Sequence, residues 1–72
     1  HVVARFSLAA EELVTLEVIG MRGERLVRTA PETLGAGTHE RALDVGGLAA
    51  GIYTLTARAG DAVRVRRFVI TR

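Results

Sequence analysis

Few side chains in this sequence could take part in nucleophilic catalysis or metal binding. His39 follows a Gly-Ala-Gly-Thr turn and could serve as a base or a ligand, while Ser7 is the single serine. A serine nucleophile needs a base within hydrogen-bond reach, yet Ser7 lies on the outer face of a predicted strand without a surrounding motif. Metal sites need several nitrogen or sulfur ligands, and the chain has no cysteine. We therefore expect no metal or other cofactor and interpret His39 as a half-exposed strand residue.

The acidic residues and the glycine-rich segment also lack the spacing that familiar active sites require. Glu11 and Glu12 are adjacent, so their carboxylates diverge on a strand or turn, whereas glycosidase carboxylates flank the scissile bond. Residues 46–51 lack the Lys-Ser/Thr ending of a phosphate-binding loop and precede a predicted strand. We interpret them as a turn in which the Asp44 carboxylate accepts hydrogen bonds from backbone amides. The sequence predicts that this domain is not an enzyme.

Strands must position these side chains, because the hydrophobic pattern alternates with a period of two. Predicted strands cover residues 3–8, 13–19, 24–30, 38–44, 52–58 and 62–71. In the first two, alternation predicts an inner face made of Ala4, Phe6, Leu8, Val14, Leu16 and Val18. The outer face then holds Arg5, Ser7, Thr15 and Glu17. All eight glycines fall in the predicted breaks, where turns need positive φ. The pattern predicts an all-β fold, an antiparallel β-sandwich of about six to seven short strands.

Length and composition indicate one small folded domain. The 72 residues are 49% hydrophobic and 25% charged, which is typical of a packed globular chain and not of a disordered one. The longest uncharged stretch, residues 45–57, has 13 residues and is too short to span a bilayer as a helix. The chain starts at His1 without a methionine, so we expect a piece of a longer protein, residues 1–72 being a single domain of it.

Positive charge is concentrated towards the end of the chain. All ten basic residues are arginines, and the formal charge is −1 for residues 1–36 and +3 for residues 37–72. The last arginines either protect an exposed edge strand or meet an anionic partner. We exclude nucleic acid as that partner, because neither a reading helix nor interleaved aromatic residues accompany the charge. Exclusive use of arginine is consistent with adaptation to heat or with GC-biased coding.

Several segments, taken in their order along the chain, resemble one protein family. They are LEVIGMRG at 16–23, LGAGTH at 34–39, LD at 43–44, LAAGIY at 48–53, AGD at 59–61 and RRFVI at 66–70. Over residues 4–72 the chain resembles the C-terminal sorting domain of the type IX (Por) secretion system, type A. The basic pair before an apolar triplet, typical of that family, is Arg66 and Arg67 here.

The resemblance implies an immunoglobulin-like sandwich at the end of a larger secreted protein. Such a domain directs its cargo, often a hydrolase, from the periplasm across the outer membrane of a Gram-negative bacterium. The implied partners are the type IX secretion machinery, anionic surface lipopolysaccharide and an upstream catalytic domain of the same chain. The implied location is secreted or on the outer cell surface.

The last hairpin, residues 51–72, is the recognition surface that we predict, because family-like residues and positive charge concentrate there. The residues assigned to it are Gly51, Tyr53, Gly60, Arg66, Arg67, Phe68, Val69 and Arg72. In this hypothesis the glycines shape the hairpin, the two aromatic rings fill the core and the arginines offer charge to the machinery. Two other functions stay open, an immunoglobulin-like spacer or oligomerisation module and a polysaccharide-binding module. The second would depend on Phe6, Tyr53 and Phe68.

Overall fold

The chain folds into two antiparallel sheets, as seen in a computed structural model that describes residues 2–71. Its seven strands are β1 (Val2–Leu8), β2 (Glu12–Ile19), β3 (Arg25–Arg28), β4 (Glu32–Leu34), β5 (Gly37–Leu43), β6 (Gly51–Ala59) and β7 (Ala62–Ile70). β1 pairs with β5 in the small sheet, and the large sheet has the order β3-β2-β6-β7, with β4 also on β2. No helix forms within residues 2–71. The predicted all-β, immunoglobulin-like sandwich class is confirmed.

The core lies between the inner faces of the two sheets, where the alternation predicted it. Ala4 is buried in β1, and Phe6 and Leu8 are half-buried against the core. The buried set is Ala4, Val14, Leu16, Val18, Leu34, Leu43, Val45 and Tyr53. Leu16 and Val18 of β2 are 2% and 0% exposed, so β2 forms the centre of the core.

Two predicted segments need correction around β3 and β4. Residues 31–37 were expected to form only a break, yet β4 (Glu32–Leu34) lies there and pairs with the start of β2. β3 is also shorter than the predicted 24–30, because Thr29 leaves the strand ladder. The other predicted strands agree with the structure to within one residue at each end. Gly37 and Gly51, expected in breaks, are the first residues of β5 and β6.

Thr29 fills the gap between β3 and β4 along one edge of β2. The Leu16 amide donates a hydrogen bond to Thr29 Oγ1 at 3.0 Å, and the Thr29 amide donates to the Leu16 carbonyl at 2.9 Å. The Thr29 hydroxyl therefore accepts the hydrogen bond of the Leu16 amide that a backbone carbonyl of a neighbouring strand would otherwise accept. This satisfies polar groups that would be costly to bury alone.

Glu17 lies on the outer face of β2, as alternation predicted, but it is almost completely covered. Its side chain is 5% exposed because Arg25 of β3 and Arg58 of β6 lie over it from both sides. Arg58 Nε donates to Glu17 Oε1 at 3.1 Å, and Arg25 Nε forms an ion pair with Oε2. One carboxylate thus links three neighbouring strands.

A second ion pair joins the two sheets. Arg41 of β5 donates from Nε and Nη2 to the two carboxylate oxygens of Glu32 in β4, each at 3.0 Å. These hydrogen bonds hold the pKa of the Glu32 carboxyl below its ordinary value. The contact is exposed to solvent, so we expect it to contribute little to stability.

Replacing Thr29 by valine tests the gap-filling hydrogen bond. Thr29→Val keeps the shape of the side chain but leaves the buried Leu16 amide without its acceptor. We expect a loss of about 1–3 kcal/mol in the free energy of unfolding, measured by chemical denaturation. The control Thr33→Val changes an exposed threonine in β4 and should alter stability by less than about 0.5 kcal/mol. Equal effects of the two variants would contradict the assignment.

Removing the Glu17 carboxylate tests the link between three strands. Glu17→Ala leaves Arg25 and Arg58 side by side without their shared anion, and we expect a loss of about 2–3 kcal/mol. The control Glu40→Ala removes a carboxylate that is 51% exposed and paired with Arg5. Its expected cost is below about 1 kcal/mol. Urea unfolding curves of both variants give the comparison, and a Glu17→Ala loss no larger than that of Glu40→Ala would refute the claim.

Candidate β-hairpin recognition surface

β6 and β7 form a long, regular hairpin at the end of the large sheet. Their pairing runs from Gly51 opposite Ile70 to Ala59 opposite Ala62 without a shift in register. Gly60, in the connecting turn, has φ of 59°, a left-handed conformation that favours glycine. A Cβ at this position would also require the Glu12 carboxylate, at the end of a flexible side chain, to move aside. The turn therefore requires a glycine at 60, whereas a Cβ at Gly51 would make only an ordinary contact with Tyr53 at 3.8 Å.

An aromatic pair fixes the open end of this hairpin. Tyr53 and Phe68 are direct neighbours in the register, and their rings stack with centroids 5.8 Å apart and an interplanar angle of 28°. Tyr53 is buried, while Phe68 is half-buried against the core. The Tyr53 hydroxyl donates to the Ala49 carbonyl at 2.5 Å. The pair thus ties the preceding loop and both strands together.

The predicted basic pair is divided between the two faces of β7. Successive residues of a strand point to opposite sides, so Arg66 shares the inner side with Arg64 and Phe68, whereas Arg67 lies on the outer side. Arg64, Arg66 and Arg67 are exposed and form no ion pair with any residue in the range 2–71. Arg72 lies outside the described residues. The structure brings Arg66 together with Arg64, a residue that our prediction missed although the period of two could have found it.

Three valines make the outer side of β7 apolar. Val63, Val65 and Val69 are 49%, 65% and 62% exposed. Val69, one of the predicted surface residues, stands opposite Ile52, which is 42% exposed. β7 therefore presents unpaired positive charge on both sides and exposed β-branched side chains on one.

The second edge of β7 has no strand partner within residues 2–71. On the inner side of β6 and β7, an open groove of about 1110 Å³ separates these strands from β1. Leu55, Ala57 and Ala59 of β6 contribute to the lining, and from β7 come Ala62, Arg64, Val65 and Arg66. The sandwich is therefore open along the side on which β1 and β7 face each other.

The side chains that could have carried catalysis have structural partners instead. His39, half-buried in β5, contacts the Gly35 carbonyl through Nε2 at 2.7 Å and lies beside the Phe6 ring. Ser7 Oγ lies 3.3 Å from Thr38 Oγ1. Asp44 accepts a hydrogen bond from the Gly46 amide at 2.9 Å, which confirms its predicted cap. No cluster of His, Asp and Glu side chains suited to a metal ion occurs in the described part of the chain.

Within residues 2–71 no helix is long and apolar enough to cross a membrane. Comparisons with curated proteins and with solved structures give no match. A family model described as the secretion system C-terminal sorting domain matches residues 2–71, nearly the whole chain. The matched range includes β7 with its arginines and exposed valines. This chain therefore belongs to the family of C-terminal sorting domains of the type IX secretion system.

Proposed function

We propose that the β6–β7 hairpin is the surface through which the type IX machinery recognises this domain. A sorting domain of this family acts as a non-catalytic signal for secretion across the outer membrane. The observation that supports the hairpin as the recognised surface is β7 itself. It combines a free sheet edge with three arginines that have no ion-pair partner in residues 2–71.

A recognition surface that keeps its shape without the partner binds more tightly, because no free energy is spent on ordering it. Regular pairing with β6, the Tyr53–Phe68 stack and the glycine at 60 give β7 such a fixed shape. Arginine suits the task, since its guanidinium forms bidentate hydrogen bonds with carboxylates and phosphates. The assigned residues thus divide into Tyr53, Phe68 and Gly60, which hold the hairpin, and Arg66, Arg67 and Val69, which contact the partner.

The wider proposal concerns the cargo and its destination. In it, an upstream domain of the same chain, often a hydrolase in this family, is carried from the periplasm to the cell surface. Attachment there to anionic lipopolysaccharide is consistent with the unpaired arginines of β7. A polysaccharide-binding role is less well supported, because Phe6, Tyr53 and Phe68 all pack against the core.

Export of a reporter tests the proposed function. Residues 1–72 would be fused to the C-terminus of a signal-peptide-bearing reporter in a bacterium that has this secretion system. We expect export of the fusion and its loss when residues 65–72 are removed. Arg66→Glu with Arg67→Glu should lower export about tenfold or more, the equivalent of about 1.4 kcal/mol of binding.

The control makes an equal change in net charge at exposed positions outside the hairpin. Met21→Glu, Arg22→Glu and Thr33→Glu together make the same change in net charge at exposed positions that form no ion pair within residues 2–71, and they should leave export unchanged. Circular dichroism of each purified domain shows whether it is folded. Normal export without residues 65–72, or with Arg66 and Arg67 reversed in charge, would disprove the hairpin as the recognised surface.

A further inference from the structure

The free edge of β7 is long, straight and unprotected by a backbone irregularity. β7 pairs with β6 over nine consecutive positions, contains no proline and has no bulge. Along its other edge, backbone N–H and C=O groups find no strand within residues 2–71. Such edges either carry protective features or receive a further strand from another chain. The arginines are one protective feature, but Val63, Val65 and Val69 remain exposed between them.

The groove on the inner side of β6 and β7 leaves room for the inward-pointing side chains of a strand added at this edge. Its β7 wall runs from Ala62 to Arg66, about 14 Å at the rise of an antiparallel strand, and a typical strand has about five residues. The groove is also lined by the small or half-buried side chains of Leu55, Ala57 and Ala59. A strand paired with β7 would extend the large sheet beyond β7, with alternate side chains directed towards the groove.

Charge in the groove indicates the chemistry of that strand. Arg64 and Arg66 line the groove without an ion-pair partner in the described chain, whereas the third lining arginine, Arg5, is paired with Glu40. The acidic lining residue, Glu12, lies near the Gly60 turn, at one end of the groove. Side chains directly opposite each other on paired strands interact, so acidic residues are favoured opposite Arg64 and Arg66. On the other side, Val65 favours a β-branched apolar neighbour.

Building on the proposed function, we propose that the edge of β7 binds an extended segment of a partner protein in which acidic and β-branched apolar residues alternate. The segment adds to the large sheet as a further strand. Its acidic side chains face Arg64 and Arg66 in the groove, and its apolar side chains cover the valines outside. Backbone hydrogen bonds supply affinity, and this alternation supplies specificity.

A second copy of this chain fits the edge less well. Antiparallel pairing of two β7 strands centred on Val65 places Arg64 of each copy opposite Arg66 of the other. Like charges directly opposite each other are destabilising. An acidic partner strand would instead place a carboxylate opposite each of Arg64 and Arg66, so that both pairs attract each other. The partner strand is therefore expected to be acidic at these positions.

Peptide binding to the 72-residue chain tests this inference without the secretion system. The probe is the capped peptide TEVEVT, and the matched control is TKVKVT. NMR titration of the ¹⁵N-labelled chain should show saturable shifts in β7 and β1 with the first peptide only. Arg64→Glu with Arg66→Glu should weaken TEVEVT binding about tenfold or more and enable TKVKVT to bind, because the charges are exchanged. Met21→Glu, Arg22→Glu and Thr33→Glu together form the charge-matched control and should leave TEVEVT binding unchanged.

Two N-methylated forms of TEVEVT test whether the backbone is involved. One carries methyl groups on both glutamate amides and the other on both valine amides. Since alternate residues of an antiparallel strand direct their N–H groups to opposite edges, one form should lose binding and the other keep it. Equal binding of TEVEVT and TKVKVT to the native chain, equal binding of both methylated forms, or shifts confined to other strands would overturn the inference. So would concentration-dependent self-association through β7 without peptide.

The outcomes separate this inference from the proposed function. If TEVEVT fails to bind while Arg66→Glu with Arg67→Glu abolishes export, the added strand is refuted and the hairpin remains the recognised surface. If TEVEVT binds as described while every charge-reversed fusion is exported normally, the added strand stands and the role of the hairpin in sorting is refuted.

Discussion

Glu17 imposes a constraint on the whole large sheet, because a carboxylate with a 5% exposed side chain must be paired. Its two partners, Arg25 and Arg58, come from strands on opposite sides of β2. Losing either arginine would leave the covered carboxylate with a single ion-pair partner, and a buried carboxylate with too few partners is costly. The carboxylate therefore specifies that β3 and β6 both flank β2, and it links segments of the chain that are 41 residues apart.

This arrangement makes the two ends of the large sheet unequal. Along the outer edge of β2, β3 and β4 follow one another, and Thr29 satisfies the Leu16 backbone between them. At the other end, β6 continues into β7 through a turn that requires Gly60, and no described strand follows. The edge formed by β3 and β4 consists of two short strands of four and three residues, whereas the nine-residue β7 leaves backbone groups, valines and arginines available to a partner.

Sequence alternation predicted the inner faces of β1 and β2, because each face is a local property with a period of two. The same alternation could also have predicted that Arg66 and Arg67 lie on opposite faces of β7 and that Arg66 shares a face with Arg64. β4 was missed because three residues between Pro31 and Gly35 carry too little pattern. The burial of Glu17 depends on cross-strand register, and the free edge of β7 depends on strand order. Neither is encoded in any single segment, so local patterns could not predict them.

Hydrogen exchange of the β7 backbone amides in the free chain tests most directly whether this edge is open. In an antiparallel pair, alternate amides of β7 donate to β6 and the others point away from it. An open edge predicts an alternating profile, with the amides bonded to β6 protected and the intervening ones exchanging almost as fast as in an unfolded chain. Uniform protection along Ala62–Ile70 would contradict it, because the edge would then already be covered.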